Sequence, residues 1–200
     1  SKAYYSIKEK YEKDNFAVEG YYRVGVKEEV PFQEWQAGWV GGGINSYPFL
    51  LEDGGEAYKR AISTIRFIFK SLQTRNGWIW PIYSKGRYYG DSYNDYENNP
   101  VLLLRKNSDM LYFILKQLLF LREKNNPLDD LNGSVRKLCD AYIGLWERYG
   151  QLGQFINMDT NEIIIGNTAS AGITSAAMLL AEKYFGDEKY GKLAEDLGEY

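Results

Sequence analysis

Apolar positions recur at helical spacing through residues 56–72. Tyr58, Ala61, Ile62, Ile65, Ile68, Phe69 and Leu72 share one face there, and Lys59, Arg60, Ser63, Arg66 and Lys70 fill the other. Residues 134–149 repeat the pattern with Val135, Leu138, Tyr142, Leu145, Trp146 and Tyr149, and shorter versions stand at 1–13 and 188–200. All four predict helices with one wet face. Residues 108–122 (SDMLYFILKQLLFLR) predict a different kind of helix, apolar almost all round and therefore buried. Residues 170–184 (SAGITSAAMLLAEKY) predict another buried helix, whose Ala, Gly and Ser allow close backbone approach. Residues 36–51 are assigned to the same buried class.

Ahead of each buried helix lies a glycine followed by an aromatic-rich extended piece: GYYRVGV from Gly20, GWIWPIY from Gly77 and GQFINMD from Gly153. The last runs on through DTNEIIIG, whose Asp-Thr-Asn turn between alternating residues predicts a β-hairpin. Outer helix, extended loop and buried helix thus recur about every 60 to 75 residues, the mark of a repeat architecture.

The stretches WQAGWVGGGINSYPFL, LLLRKNSDMLYFILKQLLFL and GQFINMDTNEIIIGNTASAGITSAAMLLAEKYFGDEKY resemble the six-hairpin (α/α)6-toroid carbohydrate-active enzymes. More narrowly, they look like glycoside-hydrolase-like proteins of bacterial polysaccharide breakdown. The resemblance implies an all-α toroid with short β-hairpins in its loops, residues 1–200 supplying about half of one domain cut at both ends. Missing sequence or another chain would supply the remaining hairpins. It also implies a bacterial protein acting on an oligo- or polysaccharide, and leaves its compartment, exported or not, open.

Composition narrows the chemistry. The chain has no histidine, which removes Ser-His and Cys-His nucleophiles, His-ligated metals and imidazole acid–base catalysis. A single cysteine, Cys139, sits in an apolar stripe and excludes an internal disulfide or thiolate zinc site. No cofactor or metal is expected. A net charge of −3 without a basic cluster argues against nucleic acid as a partner, and no apolar run is long enough for a membrane span. Aromatic residues reach 16%, more than a core requires, and Tyr and Trp suit surfaces that offer both an apolar face and hydrogen bonds.

In a toroid the loops entering the inner helices share one mouth, so three groups should meet there. These are Glu34, Trp35, Gln36 and Trp39; the loop 84–99 with Arg105, Asn107 and Asp109; and Asn157, Asp159, Asn167 and Thr168. Glycoside hydrolysis commonly uses a protonated carboxyl and a second carboxylate. Asp109 and Glu34 are the candidates for that pair. Asp109 also reads as a first-turn residue favoured by the helix dipole, with Asn107 or Ser108 as the cap, and Glu34 as an exposed loop charge. Trp35, Gln36, Trp39, Trp78, Trp80, Asp91, Asp95, Arg105 and Asn107 are candidate sugar contacts. The tryptophans have a core reading beside this one, and Asp91, Asp95 and Glu97 a solvated-turn reading and a weak calcium signal. Two further functions stay open. One is a polysaccharide lyase with a Tyr or Lys base and Arg105 neutralising a uronate. The other is a non-catalytic glycan-binding or helical scaffold domain.

Overall fold

The four amphipathic stretches form helices where their periodicity puts them. A computed structural model describes residues 2–25, 34–39, 41–52, 54–92, 97–168 and 171–199. In chain order the elements are helix α1 (Lys2–Asn15), strand β1 (Trp35–Gln36), one-turn helix α2 (Tyr47–Leu50), helix α3 (Gly55–Ser71) and strands β2 (Ile82–Ser84), β3 (Arg87–Tyr89) and β4 (Val101–Leu103). Helices α4 (Leu104–Glu123) and α5 (Asn132–Tyr149), strands β5 (Phe155–Asn157) and β6 (Glu162–Ile165), and helices α6 (Ile173–Phe185) and α7 (Glu188–Glu199) follow.

The dry face of α3 buries Ala57, Ala61, Ile65 and Ile68, and that of α5 buries Val135, Leu138, Tyr142 and Leu145. Helix α4 packs on α6, α6 on α7, and α2 on both α3 and α4. Met110, Leu111, Ile114, Leu115, Leu118 and Leu121 of α4 are buried, each worth roughly 1.5–3 kcal/mol of burial. Cys139 is buried in the same core, which raises its thiol pKa.

The all-α toroid is overturned. Helix accounts for 55% of the structure, and two three-stranded antiparallel sheets, β1-β2-β3 and β4-β5-β6, make the fold mixed α/β. The extended aromatic pieces lie against the core, where their backbone groups must find partners, and they find them in flanking segments: Ile82–Tyr83 pairs with β1 and β3, and Phe155–Asn157 with β4 and β6. The DTN hairpin forms as β5–β6, with Asn161 in the left-handed conformation at its turn. The sheet joining Trp35–Gln36 to Ile82–Tyr83 is not foreseen by the sequence.

Residues 36–51 do not form an inner helix. Gly38, Trp39, Gly42 and Gly43 have φ of 67, 50, 60 and 85°, a handedness that a right-handed helix excludes. The segment instead turns back along α4. A Cβ on Gly38 would stand 2.6 Å from the Lys106 carbonyl oxygen, and one on Gly43 3.0 Å from Ile114 Cδ1. The glycines let a loop lie flat on a helix. Only α4 and α6 of the three expected inner helices remain.

Asn107 shows why buried polar residues sit early in α4. Its side chain is fully buried, its Oδ1 accepts from the Ile79 N–H at 2.8 Å, and its Nδ2 donates to the Ile79 carbonyl at 2.9 Å. The amide thus acts as a strand partner for the segment 72–80, whose other edge bonds Thr74 to Trp78 and Trp80 to Leu72. Replacing Asn107 with Ala strands a buried N–H and a buried C=O. Asn107→Ala should therefore cost about 2–4 kcal/mol, measured as a lower urea midpoint with an unchanged slope. An unaltered midpoint would show that the clamp contributes nothing.

Candidate functional site

Helix α4 begins at Leu104, four residues earlier than its apolar run suggests, because β4 leads directly into it. This start places Asp109 beyond the first turn, where neither capping nor the helix terminus explains a carboxylate. Its partner lies across the loop: the Trp39 backbone N–H donates to the Asp109 carboxylate. Gly38 and Trp39, both left-handed, fold that loop onto the first turns of α4.

Asp109, Arg105 and Phe113 stand one turn apart on α4 and, with Trp39 and Ile44, line an open pocket of about 510 Å³. That volume is within the range of about 300–1,000 Å³ common for small-ligand sites. The Asp109 side chain is only 13% exposed, and the Arg105 Nε lies 3.5 Å from its Oδ2 at the mouth. Burial pushes the Asp109 carboxyl above the ordinary Asp range, against the opposing pull of the Arg105 guanidinium and the Trp39 N–H.

Trp39 is 51% exposed, large for a tryptophan without a neighbouring chain. Its ring is backed by the Lys106 ammonium, 5.1 Å from the ring centroid. Lys106 is itself buried and ion-paired with Asp91, whose other carboxylate oxygen accepts the Leu103 N–H at 2.8 Å. Asp91 therefore anchors the floor behind Trp39 and does not face the pocket.

The pocket thus gathers Asp109, Arg105 and Trp39 from the sequence-predicted set. Glu34 is elsewhere: it is buried, its Oε2 accepts the Lys85 N–H at 2.9 Å in the β2–β3 turn, and its charge helps burial raise the Tyr21 phenol pKa. Trp35 is fully buried edge-on to Phe67, and Gln36 is buried in β1 opposite Ile82. Trp78 is fully buried, its Nε1 donating to Asn161 Oδ1 at 2.7 Å, while Trp80 leans on Tyr88. Asn107 is the clamp on Ile79. Asn157 turns its Oδ1 onto the backbone N–H groups of Asp159 and Thr160. Glu97 pairs with Arg87, and Asp95 lies outside the described residues.

Ile44, Lys106 and Phe113 were missed. Phe113 was findable, since Arg105, Asp109 and Phe113 are spaced by four. The later helix start hid that register. Among the described residues no helix is long and apolar enough to cross a membrane.

The raised Asp109 pKa makes a pH prediction. Its folded state holds the proton to higher pH than the unfolded chain does, so its contribution to stability is greatest at low pH and falls as pH rises through the folded pKa. Asn at this position does not titrate and keeps an acceptor for the Trp39 N–H. Wild type should therefore gain stability relative to Asp109→Asn as pH drops from neutral to below about 3.9. Paired urea titrations at the two pH values measure this; a pH-independent difference would place Asp109 in solvent.

Compared with protein-family profiles, curated proteins and solved structures, the chain matches none, so the reading of the pocket rests on its own residues.

Proposed function

We propose that this chain is a glycan-processing enzyme, a glycoside hydrolase in which Asp109 protonates the departing glycosidic oxygen and Trp39 receives a sugar ring. One observation carries the reading. A carboxyl shifted toward its protonated form lies in an open pocket beside an exposed tryptophan face. General acid catalysis needs a group that still holds its proton at working pH and lies against the reacting oxygen. The apolar face of a sugar ring suits Trp39, and the sugar hydroxyls suit Arg105 and Asp109 at the ring edge.

A second reading is favoured by the position of Glu34. Hydrolysis commonly needs a base or nucleophile opposite the acid. Glu34 is occupied by the β2–β3 turn, and among the described lining residues Asp109 is the only carboxyl. A non-catalytic glycan-binding protein would need the tryptophan and no second carboxylate.

Reducing-end release from a panel of oligosaccharides, run beside binding titrations, separates the two. For the enzyme, Asp109→Asn should bind sugar as wild type does and lose turnover by about 10²–10⁴-fold, the usual worth of a general acid. For the binding protein, wild type binds and cleaves nothing. Under either, Trp39→Ala should lose roughly tenfold or more in affinity, equivalent to 1.4 kcal/mol or more. Unaltered affinity in that variant would remove the pocket from glycan recognition.

A further inference from the structure

Lys106 is the one lysine or arginine among the described residues that the fold buries. Its ammonium pairs with Asp91, and the two side chains are 5% and 9% exposed. Exchanging such a buried pair for apolar side chains of similar volume is often neutral or stabilising. Core stability therefore gives no reason for charges at these two positions. What they supply is a cation at a fixed point.

Strand β4 ties the carboxylate down. The Asp91 N–H donates to the Val101 carbonyl at 2.7 Å, and Asp91 Oδ2 accepts the Leu103 N–H at 2.8 Å. The other oxygen takes the Lys106 ammonium, which is thus placed by the strand that leads into α4. Lys106 in turn supports two consecutive loop residues. Gly38 lies against its backbone, where a Cβ would stand 2.7 Å from the Lys106 Cα, and the Trp39 ring centroid is 5.1 Å from its ammonium.

Trp35, Trp78 and Trp80 pack on the rings of Phe67, Tyr142 and Tyr88. Trp39 rests on a cation, and it is half exposed where Trp35 and Trp78 are fully buried. An exposed ring on a loop ordinarily changes rotamer on the order of nanoseconds or faster. A desolvated cation under its face holds it more strongly than an exposed one does. The ring so held lines the pocket with Asp109 and Arg105.

We propose that Lys106, fixed by Asp91, is a positioning residue that sets the plane of the Trp39 ring before a ligand arrives. The inference rests on the glycan reading above and adds the device that readies its platform. A ring ordered in advance need not be immobilised on binding, which is worth about two- to tenfold in affinity.

The test combines Asp91→Asn and Lys106→Met in one chain, which removes both charges and leaves no buried ion unpaired. Asn keeps an acceptor for the Leu103 N–H, and Met keeps most of the lysine stem. The {1H}-15N NOE of each tryptophan indole N–H reads ring motion without any ligand, and Trp39→Phe assigns the Trp39 signal. In the wild-type chain the Trp39 indole should be as ordered as those of Trp35 and Trp78. In the double variant its NOE should fall while theirs hold. Affinity for whichever of cellohexaose, xylohexaose, mannohexaose and maltohexaose binds the wild type should fall about two- to tenfold. A Trp39 indole that is mobile in the wild type, or equally ordered in both chains, would overturn the positioning. A double variant that unfolds, or that loses order at Trp35 and Trp78 as well, would make the pair a support of the whole core and overturn it too. Loss of ring order with unaltered affinity would overturn the role in binding. If no hexaose binds the wild type, the glycan reading falls, and the ring measurement alone still decides the positioning.

Discussion

Five consecutive polar or charged residues, Arg105 to Asp109, open the most buried helix of the chain, and the surrounding packing depends on where they point. Lys106 pairs with Asp91, Asn107 clamps Ile79, and Asp109 takes the Trp39 N–H. Ser108 Oγ lies 2.9 Å from the Tyr142 hydroxyl on α5 and receives the Thr174 hydroxyl of α6 at 2.8 Å. The Leu104 N–H donates to the Gln154 carbonyl ahead of β5. One turn and a half of helix thus binds loops or helices from both halves of the chain. Buried polar groups are costly unless satisfied, so these partners fix one arrangement of the elements where apolar contacts alone would tolerate several.

The pocket follows from that arrangement. Apolar residues from Met110 onward seat α4 in the core, and the polar turns before them face the incoming loops. Gly38, Gly42 and Gly43 lie on that junction because, without a Cβ, their backbone can approach the helix. That approach removes water from Asp109, which raises the carboxyl pKa, and supplies the Trp39 N–H that keeps the carboxylate tolerable. The same turn carries the Trp39 ring outward onto Lys106. The raised pKa of Asp109 and the outward placement of the Trp39 ring are therefore consequences of one close contact between a glycine loop and a helix.

The helices α1, α3, α5 and α7 were legible in the sequence because a half-wet helix writes its period in side-chain polarity. The β5–β6 hairpin was legible through its Asp-Thr-Asn turn. Residues 36–51 were misread because an apolar, glycine-rich run has no period to separate a buried helix from a buried loop. The backbone handedness of Gly38 and Trp39 is set by contact with α4, which local composition does not encode. Asp109 and Arg105 stand out in the sequence because charges are conspicuous beside an apolar run, and both line the pocket. Glu34 was placed at the same mouth by toroid topology alone, and it left when that topology did. Trp35 and Trp78 show the limit of composition: both are core residues, and nothing local distinguishes them from the exposed Trp39.

Where the chain departs from locally favourable choices, the departures converge. A tryptophan at φ 50° costs about 1–2 kcal/mol of backbone strain, and a carboxyl with a raised pKa loses, as pH rises, the stability that it contributes when protonated. Both sit at one pocket, with an aromatic ring left in solvent. A core optimised for stability alone would remove all three, and their coincidence at one place is the physical ground for assigning this pocket a ligand.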